Sequence, residues 1–328
     1  MPTHFTIPVP YDYSLPRDAC SYGYFLLAPN HWDPRPETLT RVLELEGGPA
    51  RILIAQPRGE GKAGPARISK ASHFVRGVDL ACVSDRRLAK REITEASGLI
   101  ARMLRLDEDH ATIKRYHKVD PRFKGLGRGR LFRSPTLFED VIKTVTSCNV
   151  QWPSTVVMNE RLCAVVGEGG GFPTARKLAR TRASTLRARC RVGYRDKRII
   201  ELAGMFASGE IDSHWCEDPT TGDEELRQFL IGLPGIGPYA AANIMQLLGR
   251  YHLLPLDTES VRHGKTILGM EGSDKEIMKR IDGHFAPFGE HKFRSYWFEL
   301  WEFYEAKRGP SWTWDHETTG KTFTASQF

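Results

Sequence analysis

The acidic residue Asp257 lies where a carboxylate could do chemistry. It follows an apolar run that ends in Pro255 and Leu256, and a new helical pattern begins directly after it. An aspartate at such a position usually caps the helix, with Thr258–Arg262 as the first turn. A capping carboxylate that an apolar loop directs into a groove can also stabilise a developing positive charge or orient a water molecule. Both interpretations stay open from these residues alone.

A second chemical feature is the glycine turn at Leu233–Pro238, which reads LPGIGP and joins two helical patterns. The apolar stripes are Leu226, Phe229, Leu230 and Leu233 in the first helix and Ala241, Ile244, Leu247 and Leu248 in the second. Gly235 and Gly237 would let backbone N–H groups approach a phosphate oxygen, assisted by the dipole of the helix that Pro238 begins. A helical hairpin used only for packing would share this outline, but the full spelling is more specific than a lone glycine pair.

The strongest charge concentration is the stretch 174–198, TARKLARTRASTLRARCRVGYRDKR. It holds ten lysines and arginines against one acid, Asp196, which gives +9, whereas the whole chain has a formal net charge of +7. The rest of the protein is therefore slightly acidic. Such a concentration suits neutralisation of phosphates with release of counterions. A solvated helix face is the alternative interpretation.

Composition narrows the function classes. With 328 residues, the chain is long enough for about two domains. No unbroken apolar stretch has the length of a membrane span, and the first 20 residues do not read as a signal peptide, so we expect an intracellular protein. The six cysteines are scattered without a C-x2-C pair, and the motifs GxxxxGK[ST], GxGxxG after a strand and HExxH are absent. Metal sites and small-molecule enzymes therefore have little support.

The elements that position these residues change in character along the chain. Up to about residue 82, short segments rich in apolar and β-branched residues predict antiparallel strands at Tyr22–Ala28, Ala50–Gln56 and Ser72–Leu80. Turn residues separate them at Asn30–Pro36 and Pro57–Pro65.

From about residue 85 to Tyr304, apolar residues recur at helical spacing, including a helix that starts near Ser134–Pro135. The fold class is therefore α+β, an N-terminal antiparallel β-sheet domain followed by an all-α helical bundle containing a helix-hairpin-helix motif. We place the β-rich domain at 1–90, the helical domain at 91–306 and an irregular tail at 307–328.

The combination of LPGIGPY with PLD about 18 residues later resembles the helix-hairpin-helix–Gly/Pro/Asp superfamily of DNA glycosylases. A β-rich domain before the helices is similar to the alkyladenine and 8-oxoguanine glycosylase branch. Phe132–Trp152 is similar to that branch's early helix and the loop that enters DNA, and Val192–Lys197 to its wedge segment. The similarity spans about residues 10–305.

This resemblance implies roles for single residues. Asp257 matches the catalytic aspartate, and Gly235, Ile236 and Gly237 match the hairpin that grips phosphate. On the DNA-contacting side, the residues implied are Asn149, which fills the vacated space, with Gln151, the wedge Tyr194 and its neighbour Arg195. Low-specificity candidates for the base pocket are Trp152, Tyr239, Asn243 and Trp297.

Two departures from the family pattern are informative. Members that also cleave the strand carry a Schiff-base lysine two residues after the hairpin, where this chain has Tyr239, and a phenol cannot form an imine. We therefore expect a monofunctional enzyme without lyase activity. No cysteine follows Cys216, so no iron–sulfur cluster is expected. No cofactor or metal is needed, although the hairpin carbonyls could bind a monovalent cation.

The implied substrate is double-stranded DNA containing a damaged base, bound by a monomer. An alkylated purine such as 3-methyladenine ranks first, because a cationic base would stack on Tyr239. 8-Oxoguanine ranks second, on the set Asn149, Tyr194 and Arg195, and a mispaired uracil or thymine ranks third. A DNA-binding module that uses the hairpin without chemistry is the non-enzymatic alternative.

Overall fold

The computed structural model describes residues 1–57 and 78–322. They fall into two compact units. The first comprises 1–136 without the undescribed stretch, together with 167–172 and 308–320. The second comprises 137–166, 173–307 and the described residues 321–322.

The first unit contains an antiparallel sheet. Its described strands are β1 His4–Ile7, β2 Asn30–Asp33, β3 Thr38–Leu45, β4 Gly48–Ala55 and β5 Leu80–Ser84, in the order β1-β5-β4-β3-β2. Along β4, Ala50, Ile52 and Ile54 are buried while Arg51 and Leu53 are exposed. One face of the sheet therefore carries the core, as strand alternation requires. The α+β class predicted from the sequence is confirmed.

Two of the local predictions in this unit are wrong. Tyr22–Ala28 is not a strand, since a 3₁₀ turn spans Gly23–Leu26. The prediction failed because the segment is buried nearly throughout, and a continuous apolar run has no periodicity that distinguishes a strand from a helical turn. Asn30–Pro36 is not all turn, since Asn30–Asp33 forms β2 and pairs with β3. Its buried Trp32 lies in the core despite the turn residues around it.

The strand prediction at Ala50–Gln56 is confirmed by β4, whereas β3 was not predicted. The predicted strand Ser72–Leu80 lies outside the described residues except for its last three positions, and Leu80 begins β5. The predicted turn Pro57–Pro65 lies outside them except for Pro57.

Helices α1 Leu15–Ala19, α2 Lys90–Met103 and α3 His110–Val119 also belong to the first unit. Helix α2 contacts β1 and β3, and its apolar residues Ala96, Ile100 and Met103 are fully buried. The unit that contains the sheet therefore extends well past residue 90, where the sequence places the end of the β-rich domain.

The second unit is helical. Its helices are α4 Leu137–Ser147, α5 Trp152–Val165, α6 Ala175–Ala179, α7 Ala183–Thr185, α8 Asp196–Ser208, α9 Ser213–Glu217, α10 Asp223–Gly232, α11 Pro238–Leu247, α12 Thr258–Thr266, α13 Asp274–Phe285 and α14 Lys292–Arg308. A π-helical turn at Leu186–Cys190 follows α7, and 3₁₀ turns lie at Gly193–Arg195 and Ala286–His291. Among the described helices, none combines the length and apolarity needed to cross a membrane.

The tail differs from the predicted irregular segment. A 3₁₀ turn spans Ser311–Thr313 and helix α15 spans His316–Thr322. Asp315 stabilises the start of α15 by accepting hydrogen bonds from the backbone N–H and the hydroxyl of Thr318. Trp314 is buried, and its indole donates to the carbonyl of Gly309. These elements are short and held by single aromatic residues, so the sequence shows no helical periodicity from which they could be predicted.

Candidate active site

Asp257 is the N-cap of α12. Its Oδ1 accepts hydrogen bonds from the backbone N–H groups of Glu259 and Ser260, both at 3.0 Å. The Ser260 hydroxyl lies 3.3 Å from the same oxygen and 3.2 Å from the Asp257 backbone nitrogen, completing a reciprocal cap. The predicted capping role is confirmed. All of the cap's hydrogen bonds to the carboxylate go to Oδ1, so the cap leaves Oδ2 for other interactions.

The Asp257 carboxyl is tuned by its surroundings. Burial raises its pKa above the ordinary 3.8, and the negative charge of Glu259 raises it further. The backbone donors of the cap and a hydrogen bond from the Tyr239 side chain lower it. The hydrogen bond from Tyr239 is the important one, because it brings the residue two positions after the glycine turn to the candidate catalytic carboxylate.

Side chains from α14 support this carboxylate. The Tyr296 hydroxyl lies 3.0 Å from Ser260 Oγ, so it holds the serine that completes the cap. Glu259 accepts two hydrogen bonds from Arg262 Nε, at 2.9 and 3.0 Å, and one from the Tyr304 hydroxyl. The guanidinium of Arg262 also lies over the Tyr304 ring, 5.6 Å from its centroid. Arg262 therefore compensates the charge that Glu259 places beside Asp257.

The glycine turn between α10 and α11 has the geometry expected for an anion site. Gly235 adopts φ +77°, a left-handed conformation that favours glycine, and Gly237 is the exposed N-cap residue of α11. Ile236 between them is buried and anchors the turn. Within the described ranges, the N–H groups of Gly235 and Gly237 have no protein acceptor. They are therefore available, at a helix N-terminus, for an external anion.

Asn149 and Tyr194 meet, although 45 residues separate them. Asn149 Nδ2 donates to the Tyr194 hydroxyl at 3.4 Å, and both residues are exposed. Asn149 adopts φ +53° between α4 and α5. The Arg198 guanidinium lies 5.5 Å from the centroid of the Tyr194 ring. A Cβ at Gly235 would be 2.5 Å from Arg198 Cδ, so this arginine connects the tyrosine to the glycine turn.

Arg195 lies beneath this surface. It is only 5% exposed, and its Nε donates to the Val145 carbonyl at 3.1 Å. Its Nη atoms donate to the carbonyls of Val192 and Cys148. The bonds to Val145 and Cys148 satisfy carbonyls at the C-terminal end of α4, where helix carbonyls lack partners. The structure thus gives Arg195 the role of holding the Asn149 loop, and any contact of Arg195 with DNA stays a prediction.

The remaining pocket and loop candidates have no described contact with Asp257. Gln151 is exposed as the N-cap of α5, and the indole nitrogen of the next residue, Trp152, is buried without a hydrogen-bond partner among the described residues. Asn243 is buried in α11, where its Oδ1 accepts from Gln246 at 3.3 Å. Trp297 stacks between two aromatic rings of α14. Their roles in a base pocket stay predictions.

Several residues of the site were not singled out in the sequence. Ser260 could have been found, because D-x-x-S is a capping pattern. Arg198 follows Tyr194 by four residues inside the basic stretch, a spacing that brings side chains together on a helix. Tyr296 and Tyr304 carry no local signal. In the part of the chain that the structure describes, no group of histidine, cysteine and acidic residues could hold a metal ion.

Comparisons with known proteins give the fold a context. No protein-family model and no curated protein matches the sequence. Among solved structures, MBOgg1 in complex with a low-affinity DNA ligand has a TM-score of 0.64 at 19% identity, covering 93% of this chain and 96% of that one. The 3-methyladenine DNA glycosylase from Archaeoglobus fulgidus has a TM-score of 0.59 at 17% identity, covering 92% and 99%.

The 8-oxoguanine glycosylase/lyase from Clostridium acetobutylicum, in complex with DNA containing cytosine opposite 8-oxoguanine, has a TM-score of 0.59 at 18% identity. It covers 94% of this chain and 98% of that one. The chain therefore has the fold of these DNA glycosylases over nearly its whole length, which confirms the fold that the resemblance in the sequence implies.

Proposed function

We propose that this protein is a DNA glycosylase of base excision repair, hydrolysing the N-glycosidic bond of a damaged base in double-stranded DNA. The contact between Tyr239 and Asp257 carries the proposal. Tyr239 lies two residues after Gly237, and its side chain donates a hydrogen bond to the Asp257 carboxylate. The carboxylate and the exposed N–H groups of the glycine turn are therefore separated by about the length of one tyrosine side chain. A nucleotide held there by its phosphate would have the carboxylate near its sugar.

The remaining geometry fits extrusion of that nucleotide. The target carbon is inaccessible in stacked DNA, and extrusion costs a few kcal/mol, least for a damaged or mispaired base. Asn149 and Tyr194 are exposed and joined by a hydrogen bond, so they could fill the gap as one unit. Asp257, once ionised, would stabilise positive charge at C1′ and orient the attacking water.

The enzyme is proposed to be monofunctional. Tyr239 stands where a Schiff-base nucleophile would act, and its hydroxyl is engaged with Asp257. Tyrosine cannot form the imine that precedes strand cleavage. An alkylated purine is the favoured substrate, because a cationic base gains from stacking on an aromatic ring. 8-Oxoguanine is the second candidate, on the contact between Asn149 and Tyr194. We propose a monomer that needs no cofactor and associates with DNA inside the cell.

The first experiment presents duplexes containing hypoxanthine, ethenoadenine, 8-oxoguanine, uracil or a G·T mispair, together with methylated DNA. Released bases are identified by mass spectrometry, and the strands are analysed with and without alkali. We expect base release, with strand breaks only after alkali. Breaks without alkali, or trapping of the protein on DNA by borohydride, would show that another amine replaces the missing lysine.

Asp257→Asn distinguishes an enzyme from a binding module. Asparagine also caps helices, so the variant should fold and bind DNA while base release falls by at least about 100-fold. The matched control is Asp212→Asn, which changes the N-cap of α9 and should leave release unchanged. If the wild type binds duplex DNA tightly but releases none of these bases, the chain is a binding module.

A further inference from the structure

The exposed cations between α6 and the start of α8 form a surface of their own. We define the basic surface as Arg176, Arg180, Arg182, Arg189, Arg191 and Lys197, all of them exposed. They are six of the ten cations in the stretch 174–198. Of the other four, Arg195 is buried, Arg187 pairs with Asp196 at 2.7 Å, Arg198 lies against Tyr194, and Lys177 is only partly exposed.

The backbone of this segment turns the cations outward. Leu178, Leu186, Cys190 and Val192 are completely buried and anchor α6, the π-helical turn and the residues after it. The cations occupy the positions between these anchors, so each short turn buries one apolar side chain and exposes one or two arginines. Helix α6 packs on α8, which holds the segment in place within the second unit.

The charge of the basic surface is not used within the chain. None of its six cations lies within 4.0 Å of a carboxylate in the described ranges. Six like charges in 22 residues repel one another, and an internal acid would be the simple way to reduce that repulsion. Their retention as exposed, unpaired groups therefore points to a polyanion outside the protein.

The position of the basic surface favours a nucleic acid as that polyanion. Arg191 and Lys197 flank Tyr194 in sequence, and Arg198 connects Tyr194 to the glycine turn. Two cations of the basic surface therefore lie within three residues of Tyr194, one of the proposed base-extrusion residues. Guanidinium groups suit phosphate because they donate two parallel hydrogen bonds as well as carrying charge.

We propose that the basic surface binds the phosphate backbone of undamaged duplex DNA, independently of sequence. This inference rests on the proposed function for the choice of duplex DNA. The contacts made there hold the protein on undamaged DNA while it searches. Because they act by releasing counterions, they make the affinity for undamaged duplex depend steeply on salt concentration.

The test measures the Kd of an undamaged duplex by fluorescence anisotropy between 50 and 200 mM salt. The variant is Arg180→Gln, Arg182→Gln and Arg189→Gln, since glutamine keeps helix propensity close to that of arginine. We expect the slope of log Kd against log salt to decrease by about 2–3, because each lost phosphate contact removes about 0.9. Affinity near 100 mM salt should weaken on the order of 100-fold.

The matched control removes three exposed cations from α13, as Lys275→Gln, Lys279→Gln and Arg280→Gln. Its slope should equal that of the wild type. An unchanged slope in the arginine variant, or an equal decrease in both variants, would overturn the proposal. The same measurement is made with duplex RNA and with polyglutamate. A decrease in slope confined to either of these would overturn the proposal as well, by identifying a different polyanion. Thermal unfolding confirms that both variants fold.

No base is released in this measurement, so the two proposals fail separately. If the protein releases no base from any substrate but the arginine variant shows the expected decrease in slope, the proposed function is overturned and the role of the basic surface is supported. If the protein releases base but the slope of the arginine variant is unchanged, only the role of the basic surface is overturned.

Discussion

At the scale of single residues, Asp257 combines two tasks in one side chain. Its Oδ1 completes the cap of α12, and the whole carboxyl is held in a partly buried place that disfavours its charge. For the proposed chemistry this matters, because a carboxylate whose hydration is replaced by fixed donors stabilises a neighbouring positive charge better than one in water. Orientation and electrostatics thus come from the same local geometry.

The pH dependence of base release should report the pKa of Asp257. The carboxyl must be ionised, so release should fall as the pH drops through a pKa that lies above 3.8. Tyr239→Phe removes a hydrogen bond that lowers this pKa and should move the acid limb to higher pH. Glu259→Gln removes a charge that raises it and should move the limb to lower pH.

Single-turnover rates between pH 4 and 8 measure both shifts, with Glu276→Gln as a control, because Glu276 interacts with Ser273 at the start of α13. Limbs that move in the same direction in both variants, or not at all, would contradict this account of the site.

The stability of Asp257 variants should depend on pH in a defined direction. Since the pKa of Asp257 is raised on folding, its stabilising contribution is complete below pH 3.8 and is lost as the pH rises through the folded-state pKa. Asp257→Asn should therefore gain free energy of unfolding relative to the wild type between pH 4 and 7. Asp257→Ala, which loses the cap, should be less stable than Asp257→Asn by about 1 kcal/mol.

Urea unfolding at several pH values measures these differences. A wild type that becomes more stable than Asp257→Asn as the pH rises from 4 to 7 would show that the pKa of Asp257 is lowered by folding.

At the scale of elements, the glycine turn between α10 and α11 depends on two glycines for different reasons. Gly235 needs its left-handed φ and the space that Arg198 Cδ occupies. Gly237 has φ −95°, and a Cβ there would meet nothing within 4 Å. The first glycine is therefore a requirement of the fold, and the second keeps the approach to the helix N-terminus open.

Gly235→Ala should lower the free energy of unfolding by about 1–2 kcal/mol, the usual cost of a left-handed conformation for a residue with a Cβ. It should also weaken duplex binding, since the new methyl group displaces Arg198. Gly237→Ala is the matched comparison and should change stability by less. Urea unfolding and anisotropy give the two readouts. Equal stability losses in the two variants would mean that the backbone conformation of Gly235 is not what requires glycine.

At the scale of the whole molecule, the described structure places both the site and the basic surface in the second unit. The stretch 174–198 has a formal charge of +9, whereas the whole chain has a net charge of +7, so the charges of the remaining 303 residues sum to −2. Because the positive charge is concentrated in one stretch, the electric field of a polyanion should attract that part of the protein most strongly and orient the protein before contact. Contacts made by the basic surface and the site would then follow from a single approach.

The six cysteines provide a further whole-molecule prediction. All are free thiols, and five are buried, with Cys148 partly exposed. Burial raises the pKa of Cys82 and Cys216 to about 12 and raises those of Cys148 and Cys190. Because the thiolate is the reactive form, the native protein should react slowly with a thiol reagent such as DTNB, Cys148 first.

Unfolding in guanidinium should release six rapidly reacting thiols, and Cys148→Ala should abolish the earliest native phase. Rapid reaction of two or more thiols in the native protein would contradict the buried positions of the other five.

The sequence by itself determined what depends on a few neighbouring residues. The glycine turn, the cap at Asp257, the alternation in β4 and the charge of the basic stretch are all readable, because turn conformation, capping and periodicity act over about four residues. The resemblance of LPGIGPY and PLD to a glycosylase superfamily added the fold as an expectation, and comparison with solved structures confirmed it.

Only the tertiary structure decided which of these features meet. The contact between Tyr239 and Asp257 joins residues 18 positions apart, and Asn149 meets Tyr194 across 45. Packing also placed Arg195 beneath its loop and formed a 3₁₀ turn at Gly23–Leu26, within the segment predicted as a strand. Burial and desolvation depend on atoms supplied by distant parts of the chain, so no local pattern could give the direction in which the pKa of Asp257 moves.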